Sequence, residues 1–308
     1  MTPQPTITPS VDALRAQTIG GLARHASIEI NVADTKYLDA SRDFLPNGSK
    51  VYVSHLPKQN WADTVAACSA ARRAGLSPVP HIPARLLPNI ETLHEVVQRL
   101  KREAAVEEVL LIAGDYAVAI GPFTDVTQVL RAYRFKENGI KKISIAGHPE
   151  GHPKVPLDVI RHAEREKTAA ALQLGLEVTL LTQFFFEAEP FLQWVDQLDD
   201  FHSTVRIVAG VTGPANVASL FKFSLRCGVG PSMRALVAHP SSMMKLAREH
   251  GPERLICDLA DALGQNTHRF SGVHFFCFGG FLRTCKWLHA VASGNFHFDE
   301  HNGFWAAS

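Results

Sequence analysis

Strand-like and helix-like segments alternate along almost the whole of this chain, and that alternation constrains its fold more than any other feature. Strand candidates lie at residues 27–32, 50–55, 77–83, 108–114, 142–147, 177–185, 204–211 and 272–278. Between them, helical periodicity runs over 61–74, 90–104, 124–136, 157–174, 189–198, 215–227 and 232–262, the last stretch broken near Gly251-Pro252. A helix is expected over 11–24, before the first strand, and a closing one over 281–292. Asn60 with Asp63 and Asn89 with Glu91 supply helix starts, and Gly75, Gly139 and Gly175 stand where helices stop. An α/β chain of eight strands and intervening helices, without linker or composition break, predicts a single (β/α)8 TIM barrel with an extra N-terminal helix. A doubly wound sheet fits less well, because Ile28-Glu29-Ile30-Asn31 offers no glycine where a dinucleotide fingerprint would begin. The organisation expected is a segment and helix over 1–25, the barrel over 26–293 and a tail over 294–308. The tail's Phe296, Phe298, Phe304 and Trp305 are expected to pack on the barrel or on a second subunit, a homodimer being the simplest closed assembly.

Hydrophobic residues make up 46% and charged residues 20% of the 308, enough apolar material for a large core. A net charge of +1 gives no attraction to nucleic acid or to an anionic membrane surface, and neither is expected as a partner. No apolar run is long enough to cross a bilayer, and residues 1–10 have no secretory pattern. The five cysteines, Cys68, Cys227, Cys257, Cys277 and Cys285, form no C-x-x-C pair and read as reduced thiols. The expectation is a soluble cytoplasmic protein.

In a barrel the chemistry comes from the carboxyl ends of the strands. Strand six ends Leu180-Leu181-Thr182-Gln183-Phe184-Phe185-Phe186-Glu187, an apolar run that delivers one amide into aromatic surroundings. Gln183 can offer an acceptor and a donor to the edge of a flat heteroaromatic ligand. Strand one carries Glu29 between Ile28 and Ile30. Burial there would raise its pKa and suit it to general acid work, although pairing with a buried arginine would give the same pattern. The other strand ends supply Ser54-His55, His81, Gly114-Asp115 and His148-Pro149-Glu150, with His152 beyond. No H-x-H or H-E-x-x-H occurs, so a metal is not expected, and no G-x-S-x-G suggests a hydrolase nucleophile. His274 and Cys277 in the last strand read as barrel packing.

These markers, in this order, resemble those of the methylenetetrahydrofolate reductase family over about residues 20–290. Thr182-Gln183-Phe184-Phe185-Phe186-Glu187 is similar to the family's T-Q-F-F-F-D, Ala113-Gly114-Asp115 to its R-G-D, and His148-Pro149-Glu150-Gly151-His152-Pro153 to its Y-P-E-x-H-P. His81 and Val273-His274-Phe275-Phe276 match its third and eighth strands. The resemblance implies NAD(P)H-dependent interconversion of 5,10-methylenetetrahydrofolate and 5-methyltetrahydrofolate, normally through FAD. It implies Glu29 as the acid that helps open the five-membered ring at N10, and Asp115 as an electrostatic tuner of flavin and pterin. Gln183 would bind the pterin and Phe223 would pack on the aminobenzoyl ring. Ser54, His55, His81, His148, His152 and Glu164 fall on the flavin-binding side of the site.

Several positions depart from the family pattern. Ile28-Glu29-Ile30-Asn31-Val32-Ala33 replaces F-E-F-F-P-P, His148 replaces a tyrosine, Ala171 a lysine, Ala113 an arginine, and Gly280 an arginine that Arg283 could replace. Most of these losses touch cofactor anchoring, which predicts weak FAD binding or direct hydride transfer from NAD(P)H. A folate-dependent methyltransferase-type barrel and a non-catalytic folate or flavin binder are the competing readings. The dispersed cysteines argue against the first and the retained Glu29 against the second.

Overall fold

In the computed structural model, eight parallel strands close into one barrel in chain order. They are β1 (Ser27–Ile30), β2 (Lys50–Val53), β3 (Ser77–Pro83), β4 (Glu108–Ile112), β5 (Lys142–Gly147), β6 (Glu177–Phe184), β7 (Arg206–Thr212) and β8 (Gly272–Phe276). The structure describes residues 11–114, 116–152, 154–198, 204–215, 251–265, 269–300 and 303–307. β1 closes the circle by pairing on both sides, with Glu29 opposite Tyr52 of β2 and Ser27 opposite His274 of β8.

Helices α1 (Val11–Arg24), α2 (Leu38–Ser41), α3 (Trp61–Arg73), α4 (Ile90–Ala104), α5 (Val126–Ala132), α6 (Leu157–Gln173), α7 (Ala188–Asp196), α8 (Glu253–Gly264) and α9 (Phe281–Ala292) accompany the barrel. The expected caps form: Asn60 and Asp63 exchange a capping box at α3, and Asn89 Oδ1 accepts from Thr92 N at 2.8 Å. Helix α8 starts at Glu253, directly after the Gly251-Pro252 break. The helix expected over 215–227 and the first part of that expected over 232–262 lie outside the described residues.

The first strand is shorter than its apolar run suggests. Asn31 Oδ1 accepts from Ala33 N at 2.8 Å, and the Asp34 carboxylate accepts from Asn31 N at 3.0 Å. This capping pair turns the chain into a 3-10 helix, Val32–Tyr37, before α2, so β1 ends one residue after Glu29.

Two apolar cores result. The larger lies between strands and helices, where alternate strand residues such as Ile28, Val51, Ile143 and Leu180 meet Val65, Val97, Ile256 and Cys285. The smaller lies inside the barrel and consists of Tyr52, Val79, Leu110, Leu181 and Val208. Beneath it, Glu108 is held by Lys50 Nζ at 2.5 Å and by Ser144 Oγ at 3.0 Å, while the Tyr52 hydroxyl bonds Ser144 at 2.9 Å. These polar partners satisfy one another and plug the amino end of the barrel. At the chain's end, β9 (Phe296–Phe298) and β10 (Phe304–Ala306) form an antiparallel pair that buries Phe296 and Phe304 and leaves Trp305 68% exposed. No helix among the described residues is long and apolar enough to cross a membrane.

Candidate active site at the carboxyl end of the barrel

Glu29 projects into the barrel mouth, where residues from β1, β3, β8 and the end of β2 converge on its carboxylate. Ser54 Oγ donates to Oε1 at 2.8 Å. His81 Nε2 lies 3.6 Å and His274 Nε2 3.9 Å from Oε2. Both distances exceed a formed hydrogen bond, yet both nitrogens are buried without another partner, and the carboxylate is what they face. Ser27 Oγ bonds His274 Nδ1 at 2.9 Å, which orients the ring so that Nε2 points at Glu29. The Tyr52 ring meets the His274 ring edge-on at 4.8 Å and forms the floor under both imidazoles.

Burial alone would raise the Glu29 pKa, but the His274 ring, the charge interaction with His81 and the Ser54 hydroxyl together bring it below the ordinary carboxylate value. This corrects the sequence expectation of a raised value: the neighbours across three strands outweigh desolvation. Burial pushes His81 the other way, below the usual histidine range, against the pull of Glu29. The site therefore holds an ionised carboxylate beside a His81 ring that burial keeps neutral. Among the described residues, no three His, Cys, Asp or Glu side chains form a metal-holding group.

Gln183 stands at an irregularity in β6. The pairing of β6 with β7 shifts between Leu181 and Phe184, and Thr182 Oγ1 accepts from Gly210 N at 2.7 Å across the shift. A Cβ on Gly210 would lie 2.4 Å from the Thr182 carbonyl, so the close approach requires glycine. Gln183 Oε1 accepts from Phe184 N at 3.1 Å. The Phe184 ring packs on Phe276 at 5.6 Å, Phe278 at 5.0 Å and Phe186 at 5.9 Å, an aromatic wall between β6 and β8. Phe185 faces the other way and stacks on Phe191 of α7.

The residues that the resemblance places at the flavin are engaged within the protein. Besides Ser54 and His81, which face Glu29, His55 Nδ1 bonds Thr64 at 2.7 Å and its ring stacks on Trp61 at 3.9 Å. Burial first, with His81 nearby, holds His55 neutral with a pKa of about 4. Glu164 is buried, its Oε1 accepting from His148 N at 2.7 Å and its Oε2 from Arg161 Nη1 at 2.9 Å and Trp194 Nε1 at 3.2 Å. His148 Nδ1 lies 3.5 Å from the same carboxylate, and His152 Nδ1 accepts from Lys154 N. Asp115 and Phe223 lie outside the described residues. Sequence reasoning read His274 as packing and missed Arg161 and Trp194. One signal for His274 was its strand parity with Phe276, the residue that contributes to the aromatic wall.

A model of the family described as methylenetetrahydrofolate reductase matches residues 51–246, more than half of the chain. That stretch contains Ser54, His81, Glu164 and Gln183 but neither Glu29 nor His274. The chain is 27% identical over 164 residues to a 5,10-methylenetetrahydrofolate reductase of Pectobacterium carotovorum subsp. carotovorum, covering 51% of this chain and 50% of that one. It is 26% identical over 154 residues to the protein of the same name from Buchnera aphidicola subsp. Baizongia pistaciae, covering 49% and 48%. The match thus spans about half the length of these relatives. Among solved structures, Mycobacterium tuberculosis tryptophan synthase overlaps with a TM-score of 0.45 at 13% identity, covering 93% of this chain and 98% of that one, too loose a likeness to bear on chemistry. On its barrel and on the family match over residues 51–246, the chain belongs to the methylenetetrahydrofolate reductase family.

Proposed function

We propose that this protein interconverts 5,10-methylenetetrahydrofolate and 5-methyltetrahydrofolate, with NADH or NADPH as the source of hydride. The observation that carries the reading is the convergence of Ser54, His81 and His274 on Glu29 at the catalytic face of a barrel in this family. Opening the five-membered ring of the methylene folate needs a proton at N10 and leaves an iminium at N5, whose exocyclic carbon then accepts hydride. In the open site Glu29 is ionised. A pterin lying over it would exclude the remaining water and raise its pKa, so that the carboxyl takes up a proton from solvent as the folate binds and passes it to N10. Gln183 would exchange its internal bond to Phe184 N for the edge of the pterin, and Phe184, Phe276 and Phe278 would cover the ring face. Asp115 and Phe223 take the roles the family resemblance assigns them, on electrostatics and on the aminobenzoyl ring.

The reading is tested by following NADH and NADPH oxidation by purified protein with methylenetetrahydrofolate, FAD and FMN supplied, and identifying the folate product by chromatography. Formation of 5-methyltetrahydrofolate is expected. Failure to consume either nucleotide, together with failure to oxidise 5-methyltetrahydrofolate in reverse, would overturn it.

A further inference from the structure

We propose that Ser27 and His274 are positioning residues for the Glu29 carboxyl: the Ser27 hydroxyl holds the His274 ring in the tautomer whose Nε2–H faces Glu29, and this pair decides up to what pH the carboxyl keeps its proton. The inference rests on the folate reading for the use made of that proton.

The arrangement follows from strand geometry. Ser27 and Glu29 are two residues apart on β1, so their side chains share the face turned to the barrel interior. Ile28 and Ile30, on the other face, enter the helix–barrel core. β8 lies beside β1 with His274 opposite Ser27. From there the imidazole reaches both interior neighbours: Nδ1 bonds Ser27 Oγ at 2.9 Å, and Nε2 stands 3.9 Å from Glu29 Oε2. The ring is fully buried and clamped between two aromatic edges, Tyr52 and Phe276, each 4.8 Å away between centroids. A ring flip would exchange the bonded Nδ1 for a carbon and break the contact with Ser27.

The proton positions follow from the charge on Glu29. Its Oε1 already accepts from Ser54. An ionised carboxylate has no hydrogen to give, so the nitrogen facing Oε2 is a donor and Nδ1 of the neutral ring is an acceptor. Ser27 is then the donor in its bond. Without that hydroxyl the ring is free to carry its hydrogen on Nδ1 and to turn a lone pair toward the carboxylate. Burial raises the Glu29 pKa, and among its neighbours His274 does most to bring it down, ahead of His81 and Ser54. The other titratable groups near Glu29 among the described residues are placed differently. His81 faces the same oxygen from β3 at 3.6 Å, the Asp34 carboxylate is turned to Asn31 N at 3.0 Å, and Cys277 is a thiol that burial keeps protonated.

A general acid delivers its proton only while it holds one, so the rate falls as pH rises through the value for Glu29. Removing the Nε2–H donor takes stabilisation from the ionised form alone, and the carboxyl keeps its proton to higher pH. The change expected is about one pH unit, the worth of one hydrogen bond to a carboxylate.

The test follows the Glu29 carboxyl by NMR in the full chain, isotope-labelled at the glutamate side-chain carboxyls and assigned by the signal lost in Glu29→Gln. The pH dependence of kcat/KM for methylenetetrahydrofolate is measured beside it. His274→Asn keeps an amide near Ser27 but removes the donor facing Glu29, whereas His274→Gln puts an amide N–H back near the place of Nε2. The carboxyl titration and the basic limb of kcat/KM should both move up by about one pH unit in His274→Asn. They should move the same way by less in Ser27→Ala, the mildest change, and return toward the parent in His274→Gln and Ser27→Thr. Unmoved titrations in His274→Asn and Ser27→Ala would overturn the inference. So would equal shifts in His274→Asn and His274→Gln, which would mark lost packing alone. Titrations that move as expected in a protein forming no 5-methyltetrahydrofolate would uphold the pair's hold on Glu29 and sink the folate reading instead.

Discussion

At Glu29 the charge state is decided by neighbours on other strands, and the consequence can be measured on those neighbours. The carboxylate raises the pKa of His81 against the effect of burial. Glu29→Gln removes that support, so the His81 ring should titrate at lower pH in the variant than in the parent when followed by imidazole NMR; an unmoved titration would show that the two groups do not interact. Glu164 is the other buried carboxylate that governs local structure. Glu164→Ala would leave the Trp194 indole N–H and the Arg161 guanidinium without their acceptor, a loss of about 3–5 kcal/mol by the usual cost of breaking a buried pair. Although burial pushes its pKa up, His148 and Arg161 bring it below the ordinary value. Its contribution to stability is therefore complete above the unfolded carboxylate range and is lost as pH falls through the folded value. Urea midpoints of parent and Glu164→Gln should accordingly converge in acid and separate toward neutrality.

At the level of the elements, β3 and β5 run over the residues their sequence pattern marks, because proline, glycine and β-branched residues there leave one reading. β1 stops short because the Asn31–Asp34 capping pair competes with strand continuation, a signal that is visible in the sequence but was outweighed by the apolar run. The irregularity in β6 that sets Gln183 apart from its neighbours could not be read from β6 itself. Its cause is the contact of Thr182 with Gly210 on the next strand. Gly210→Ala would force the two backbones apart, costing about 1–3 kcal/mol by overpacking. This variant should show a lower Tm and a higher KM for the folate from displacement of Gln183; an unchanged KM would detach Gln183 from pterin binding.

For the molecule as a whole, the barrel was legible because a strand–helix alternation without breaks can bury both faces of every strand in few other ways. The ring of polar strand ends was legible for the same reason. What the sequence could not show was which of those ends meet. Glu29, Ser54, His81 and His274 are far apart in the chain and come together through the β1–β2–β3 pairing and the closure of β8 on β1, so the direction of the Glu29 shift was misjudged. Nor could it show that Trp61 stacks on His55 or that the Trp194 indole donates to the buried Glu164.

On the proposed function, Glu29 supplies the proton on which folate reduction depends. The most direct measurement is turnover of methylenetetrahydrofolate by Glu29→Gln beside folate binding by the same variant, followed by calorimetry. A fall in turnover of about 10²–10⁴-fold is expected, the usual worth of a general acid, with folate affinity retained. Turnover equal to that of the parent protein would remove Glu29 from the chemistry.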